Sequence, residues 1–214
     1  MQESIPALTP TDLFTPPGLR PSLPSQYKFS PCGRYVSYLN GSETAPTTLD
    51  LWCFDREQKV HTPVAMAQQL DAQADENVTE LSDAERAERE RKRQFTFGIT
   101  HYQWVGKLRS LALYADGQAY IKKDIDNNAI IQMTPSEKRH SGFNPSPSGG
   151  LISYVRGGNL FYKDIQKAGS EVQVSHDANE CVNYGLPDFL AAEEMHRFAG
   201  AWWSECERLS LIHI

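Results

Sequence analysis

Apolar and polar residues alternate in short runs along most of this chain, and turn residues separate the runs. In "YKFSPCGRYVSYLNG" (27–41) a Pro-Cys-Gly turn is followed by alternating Tyr35, Val36 and Tyr38, and "TLDLWCFDREQKV" (48–60) adds a second run ending in a polar turn. A period of two bounded by turn residues predicts β-strands. The unit recurs. "FSPCGRYVSY" at 29 is answered by "WVGKLRSLAL" at 104, "SPSGGLISY" at 146 and "WSECERLSL" at 203. Each copy is a tight turn followed by a strand. Three further runs end in acid, namely "LDLWCFD", "GQAYIKKD" and "GNLFYKD". The copies start about 75, 42 and 57 residues apart, so insertions must lengthen some connections. Repeats of this kind, built from short strands, favour propeller blades over a sandwich. The expected fold is therefore all-β with helical insertions, a partial β-propeller.

Two stretches depart from the alternation. The proline-rich start reads as an extended lead-in over residues 1–28, and the propeller portion is expected over 29–214. The largest insertion, about 64–95, contains "LSDAERAERERKRQ", with Ser82 and Glu85 at capping-box spacing and Glu85–Arg89 and Glu88–Lys92 at i,i+4. A helix from about Ser82 to Arg93 is predicted. Its faces are almost wholly polar, so it either forms a solvated surface excursion or carries an arginine to a site. The second departure is "GLPDFLAAEEMHRFAGAWWSE" (185–205), where a helix is expected over about 187–199. Pro187 suits its first turn, Asp188 its positive end and Gly200 a stop. Phe189 and Leu190, one turn before Glu193 and Glu194, are expected to pack while the carboxylates face elsewhere.

With 214 residues, 40% of them hydrophobic, the chain can bury a substantial core. A net charge of −6 argues against a general nucleic-acid surface, and the basic residues of 86–93 are interleaved with glutamates. Cys32, Cys53, Cys181 and Cys206 have no C-x-x-C spacing and read as free thiols. No apolar run approaches the roughly 18 residues of a membrane span. "MQESIPALTP" has neither the basic nor the apolar region of a signal peptide. A cytoplasmic location is expected, or a periplasmic or secreted one if a leader has been removed.

Adjacent glutamates are common on solvated helices. Their chemical alternative is a cation site: a primary ammonium has three donors and can use both acids. His196, two and three residues beyond them, gives only a weak metal pattern, and no metal or cofactor is expected.

Asn183, Gly185, Asp188, Phe189, Glu193, Glu194, Trp202, Trp203 and Ser204 together resemble the double-glutamate segment of the dipeptidyl peptidase IV branch of the prolyl oligopeptidase family. "FSPCGRYVSYL" is similar to that family's first-blade turn, and "LSDAERAERERKRQ" to the helical insertion of its bacterial members. The resemblance implies the first blades of an eight-bladed propeller over an α/β-hydrolase domain. The whole enzyme would release dipeptides from free peptide amino termini, with Pro or Ala second; in this chain the unclosed propeller edge is expected to pair with another copy as a homodimer. Glu193 and Glu194 would bind the substrate amine. An arginine of the insertion would hold a substrate carbonyl: Arg89, Arg91 and Arg93 are candidates, with Arg91 preferred on alignment. The chain departs from the pattern at Cys32, where the turn carries an acid in the family, and at Glu205-Cys206. No G-x-S-x-G elbow occurs in these 214 residues, so no catalytic residue is assigned and an isolated chain is expected to be inactive. The hydrolase domain is expected to follow elsewhere in a longer protein. The alternative is a propeller interaction module of a non-catalytic relative.

Overall fold

The computed structural model describes residues 9–11, 23–41, 45–71, 89–90, 96–106, 109–134, 139–165, 171–179, 181–207 and 209–211. Their strands follow chain order into antiparallel meanders. β1 (Ser25–Phe29), β2 (Tyr35–Gly41), β3 (Thr48–Asp55) and β4 (Val60–Ala65) form the first. β5 (Phe97–Val105), β6 (Ser110–Ala115), β7 (Gln118–Lys122) and β8 (Ile130–Gln132) form the second. β9 (Ser141–Pro145), β10 (Leu151–Arg156), β11 (Asn159–Asp164) and β12 (Glu171–Gln173) form the third. β13 (Ala201–Trp203) and β14 (Leu209–Leu211) begin a fourth. This succession of four-stranded meanders is a partial β-propeller, not a sandwich. The four repeated motifs all fall on the turn from the first to the second strand of a blade. β1 begins at Ser25, so the lead-in is shorter than the pattern of prolines predicts.

The acid that ends β3 has a local reason. Asp55, closing β3, accepts from Arg34 Nε (3.0 Å) and Nη2 (2.6 Å) and from the N–H groups of Glu57 (2.8 Å) and Gln58 (3.1 Å). One carboxylate thus holds its own hairpin and the preceding turn together. The Arg34 guanidinium keeps Asp55 at a pKa of about 2.

The blades pack face to face, which explains why the middle strands read as nearly continuous apolar runs. Along β6, Leu111 and Leu113 enter a core shared with Leu39, Leu51 and Tyr102 of blades one and two. Ala112 and Tyr114, on the opposite face, enter a second core with Ile121, Ile152 and Ile165 of blades two and three. A third core of Val155, Leu160, Tyr184 and Ala201 joins blades three and four. Polar contacts run across the same interfaces: Trp104 Nε1 donates to Ser37 Oγ (2.9 Å), and Trp203 Nε1 donates to the Asn144 carbonyl (2.9 Å).

Strand direction fixes which connections share a face. β3 pairs in parallel with β5 at Thr48–Phe97 and Leu49–Gly98, so β5 also runs parallel to β1. The turns after the first strands then lie side by side on one rim. Arg109, in the β5–β6 turn, sits over the Tyr35 ring at 5.4 Å. Gly106 abuts the Ser148 carbonyl so closely that no side chain would fit. Glu207, in the β13–β14 turn, accepts from Ser146 Oγ (2.9 Å) and the Ser148 N–H (2.8 Å). Connections that lead into β5 and β13 therefore emerge on the opposite face. The first follows the insertion, whose residues 72–88 and 91–95 lie outside the described ones, and the second is the double-glutamate segment.

Of the insertion, α1 (Ala67–Asp71) is described, with Asp50 Oδ1 accepting the Ala67 N–H at 2.7 Å and Leu70 buried in the first core. The helix predicted over Ser82–Arg93 lies outside the described residues except for Arg89 and Glu90, which are helical. Among the described residues no helix is long and apolar enough to cross a membrane.

Candidate functional site

Gly185 and Gly200 form an isolated antiparallel bridge, with the Gly200 N–H donating to the Gly185 carbonyl at 3.1 Å. The chain between them leaves the blade and returns to the same point. Both glycines are required by the closeness of that approach. A Cβ on Gly200 would lie 2.6 Å from the Leu186 carbonyl oxygen, and one on Gly185 would lie 2.9 Å from Leu160 and Val155 side chains. Gly185 also has φ +82°, which a side chain disfavours. The base of the excursion is anchored in the third core through Tyr184, Leu186 and Ala201.

Within the excursion α2 spans Phe189–Glu193 only, shorter than the expected 187–199. Asp188 caps its start, accepting the Ala191 N–H at 2.6 Å. The stop comes before Gly200. Glu194 is the C-cap, His196 takes φ +51°, and the Arg197 N–H returns to the Ala191 carbonyl at 2.9 Å. A non-glycine residue in the left-handed region costs about 1 kcal/mol. Here it turns the chain back toward β13.

The apolar residues of this helix do not pack as expected. Phe189 is 61% exposed and Leu190 64%, while Ala191 is the residue that turns inward. The pinch at the two glycines carries the helix away from the blade cores, leaving those larger side chains nothing to cover them. Met195 and Phe198 are also exposed.

Glu193 and Glu194 are both exposed, and the described residues include no ion pair to either. The nearest cation in sequence, Arg197, stacks instead over the Trp202 ring, its guanidinium carbon 6.0 Å from the ring centroid. Trp203, beside it, is held by Asn144, whose side-chain amide also donates to the Ala201 carbonyl at 3.3 Å. Neither Arg197 nor Asn144 stood out in the sequence. Only the position of Arg197, four residues after Glu193, offered a signal.

Of the arginine candidates, Arg89 donates to the Thr96 carbonyl and lies over the Phe97 ring at 4.7 Å, so it is committed to the start of β5. Arg91 and Arg93 lie outside the described residues. Together the described groups present two exposed carboxylates bordered by apolar side chains, with the one arginine of the excursion, Arg197, turned to Trp202 and in no ion pair with either acid among the described residues. Chemically that suits a cation carrying hydrogen-bond donors.

Residues 114–210 match the family described as the dipeptidyl peptidase IV N-terminal region. Over those residues the chain is similar to a dipeptidyl peptidase IV N-terminal region. The match starts near the end of β6, takes in β7 and β8 of the second blade, the third blade and the incipient fourth, and includes the whole double-glutamate excursion. A probable dipeptidyl-aminopeptidase B of Metarhizium robertsii is 34% identical over 65 residues, 29% of this chain and 7% of that protein. The crystal structure of Porphyromonas gingivalis dipeptidyl peptidase 4 superposes with a TM-score of 0.56 at 18% identity, over 86% of this chain and 24% of that one. At that identity the likeness is one of fold. This chain thus spans only a small part of the length of both relatives.

Proposed function

We propose that this chain is the specificity-bearing propeller part of a serine exopeptidase that releases dipeptides from free peptide amino termini, with Pro or Ala second. Glu193 and Glu194 bind the substrate ammonium. The observation that carries this reading is the exposed carboxylate pair, in no ion pair among the described residues, on an excursion pinned at Gly185 and Gly200, within a stretch similar to a dipeptidyl peptidase IV N-terminal region.

A peptide amino group has a pKa near 8 and is largely cationic at neutral pH. Two charge-assisted hydrogen bonds in a partly desolvated cleft contribute a few kcal/mol, on the order of 2–5. The glutamates perform no bond chemistry. By fixing the amine a set distance from a nucleophile supplied by a hydrolase domain, they select which peptide bond is cut. Arg91, from the insertion that precedes β5 in sequence, holds the substrate carbonyl in this reading.

A second reading, a propeller that serves as an interaction module, draws on Phe189, Leu190, Met195 and Phe198, whose exposure suits a covering protein. One experiment separates the two. Full-length protein is assayed for chromophore release from Gly-Pro and Ala-Pro derivatives with free and acetylated amino termini, alongside Glu193→Gln and Glu194→Gln. The exopeptidase reading expects cleavage of free-amine substrates alone and a loss of at least about tenfold in kcat/KM in each variant. Absence of cleavage from either substrate form would favour the interaction module.

A further inference from the structure

Arg197 stands at i+4 from Glu193 and i+3 from Glu194, with the glutamates amino-terminal. In a continuous helix that is the favourable order for an internal ion pair. Had α2 continued by one turn, the guanidinium would lie beside the carboxylates and neutralise them. The structure avoids this in two ways. His196 adopts φ +51°, which takes Arg197 out of helical register, and the Arg197 N–H is tied back to the Ala191 carbonyl at 2.9 Å. The guanidinium then lies over Trp202, the first tryptophan of the Trp-Trp pair in β13. Its neighbour Trp203 is fixed to the third blade through Asn144, so the platform belongs to the propeller body while the glutamates belong to the excursion.

We propose that Trp202 is a positioning residue that holds Arg197 off the carboxylate pair, keeping both acids available to a ligand ammonium. This rests on the amine-anchor reading and adds to it a group that the reading does not use. The arginine is an internal competitor kept in check. Without the tryptophan face it swings toward Glu193 and Glu194 and competes with substrate.

The consequence is a double variant that binds better than one of its parents. In full-length protein, Trp202→Leu is expected to raise KM for free-amine dipeptidyl substrates by roughly two- to fivefold, the range of an exposed ion pair, with kcat little changed. Trp202→Phe, which keeps a ring, should show a smaller rise. Arg197→Gln alone should leave KM within about twofold. Trp202→Leu combined with Arg197→Gln should return KM toward the wild-type value, because the competitor is gone. A purely structural role for Trp202 predicts no such recovery, since the arginine cannot repair lost packing. If the double variant is no better than Trp202→Leu, or if Arg197→Gln alone weakens binding as much, the inference is wrong while the amine anchor stands. If wild type fails to distinguish free from acetylated amino termini, the anchor reading fails and takes this inference with it.

Discussion

Gly200→Ala tests the excursion's geometry most directly. The added Cβ would sit 2.6 Å from the Leu186 carbonyl oxygen, 2.7 Å from its carbon and 2.8 Å from the Gly185 carbonyl carbon. All three are backbone atoms, so no side chain can rotate away and the Gly185–Gly200 bridge must widen. Overpacking of this kind costs about 1–3 kcal/mol. Gly200 is not in the left-handed region, so the cost is steric; Gly157, at φ +55° with nothing within 4 Å of a built Cβ, provides the opposite control. At that control position alanine should cost only about 1 kcal/mol, from backbone conformation. The readout is hydrogen exchange at the Gly200 amide, which donates to the Gly185 carbonyl. Opening the bridge should lower its protection by roughly 5- to 150-fold, while amides of β6 are unchanged. If the proposed exopeptidase function holds, cleavage of free-amine substrates by the full-length protein should fall along with it, since a displacement of about 1 Å can cost as much as 100-fold in rate. Unchanged protection at Gly200 in the alanine variant would refute the reasoning.

Other expectations follow from the packing. Leu111→Ala, at a fully buried site between blades one and two, should destabilise by about 2–5 kcal/mol in denaturant melts, whereas Phe189→Ala should change stability by less than about 0.5 kcal/mol. Equal effects would mean that Phe189 packs after all. The four cysteines are free, and burial raises the Cys53 thiol to about 12 while Cys32, Cys181 and Cys206 are exposed. A thiol reagent at pH 8 should therefore label three sites quickly and Cys53 only on unfolding, as peptide mapping would reveal. Arg34 depresses Asp55 to about 2, so this carboxylate's stabilising contribution is complete above its unfolded value near 4 and is lost as pH falls through the folded one. Arg34→Ala should move the acid-unfolding midpoint to higher pH, and an unmoved midpoint would count against the pair. Trp203→Phe removes the bond to the Asn144 carbonyl and should cost about 1 kcal/mol, measured as a lower unfolding midpoint.

What the sequence determined by itself is local in origin. The alternation of 27–60, the recurrent turns at 29, 104, 146 and 203, and the acids closing third strands all reflect interactions within a few residues or between neighbouring strands. A period of two and a Pro-Gly turn leave little other choice, and a four-stranded meander buries its faces only against another like it. The glutamate pair was legible for the same reason, since two adjacent carboxylates on a capped helix are visible without a fold.

Tertiary structure decided the rest. Helical propensity favoured a long segment after Asp188, but the close approach of Gly185 and Gly200 sets where the chain must return, and α2 ends at Glu193 to meet that constraint. The exposure of Phe189 and Leu190 follows from the same pinch, because an apolar residue packs only if the backbone carries it to a core. The parallel pairing of β3 with β5 and the contacts among the blade turns place the start of β5 and the double-glutamate segment on one face, which no spacing in the sequence encodes. Whether Arg197 would neutralise Glu193 or rest on Trp202 was likewise undetermined by an i+4 spacing. A left-handed residue and an aromatic face contributed by the next blade resolve it, and both exist only in the folded chain.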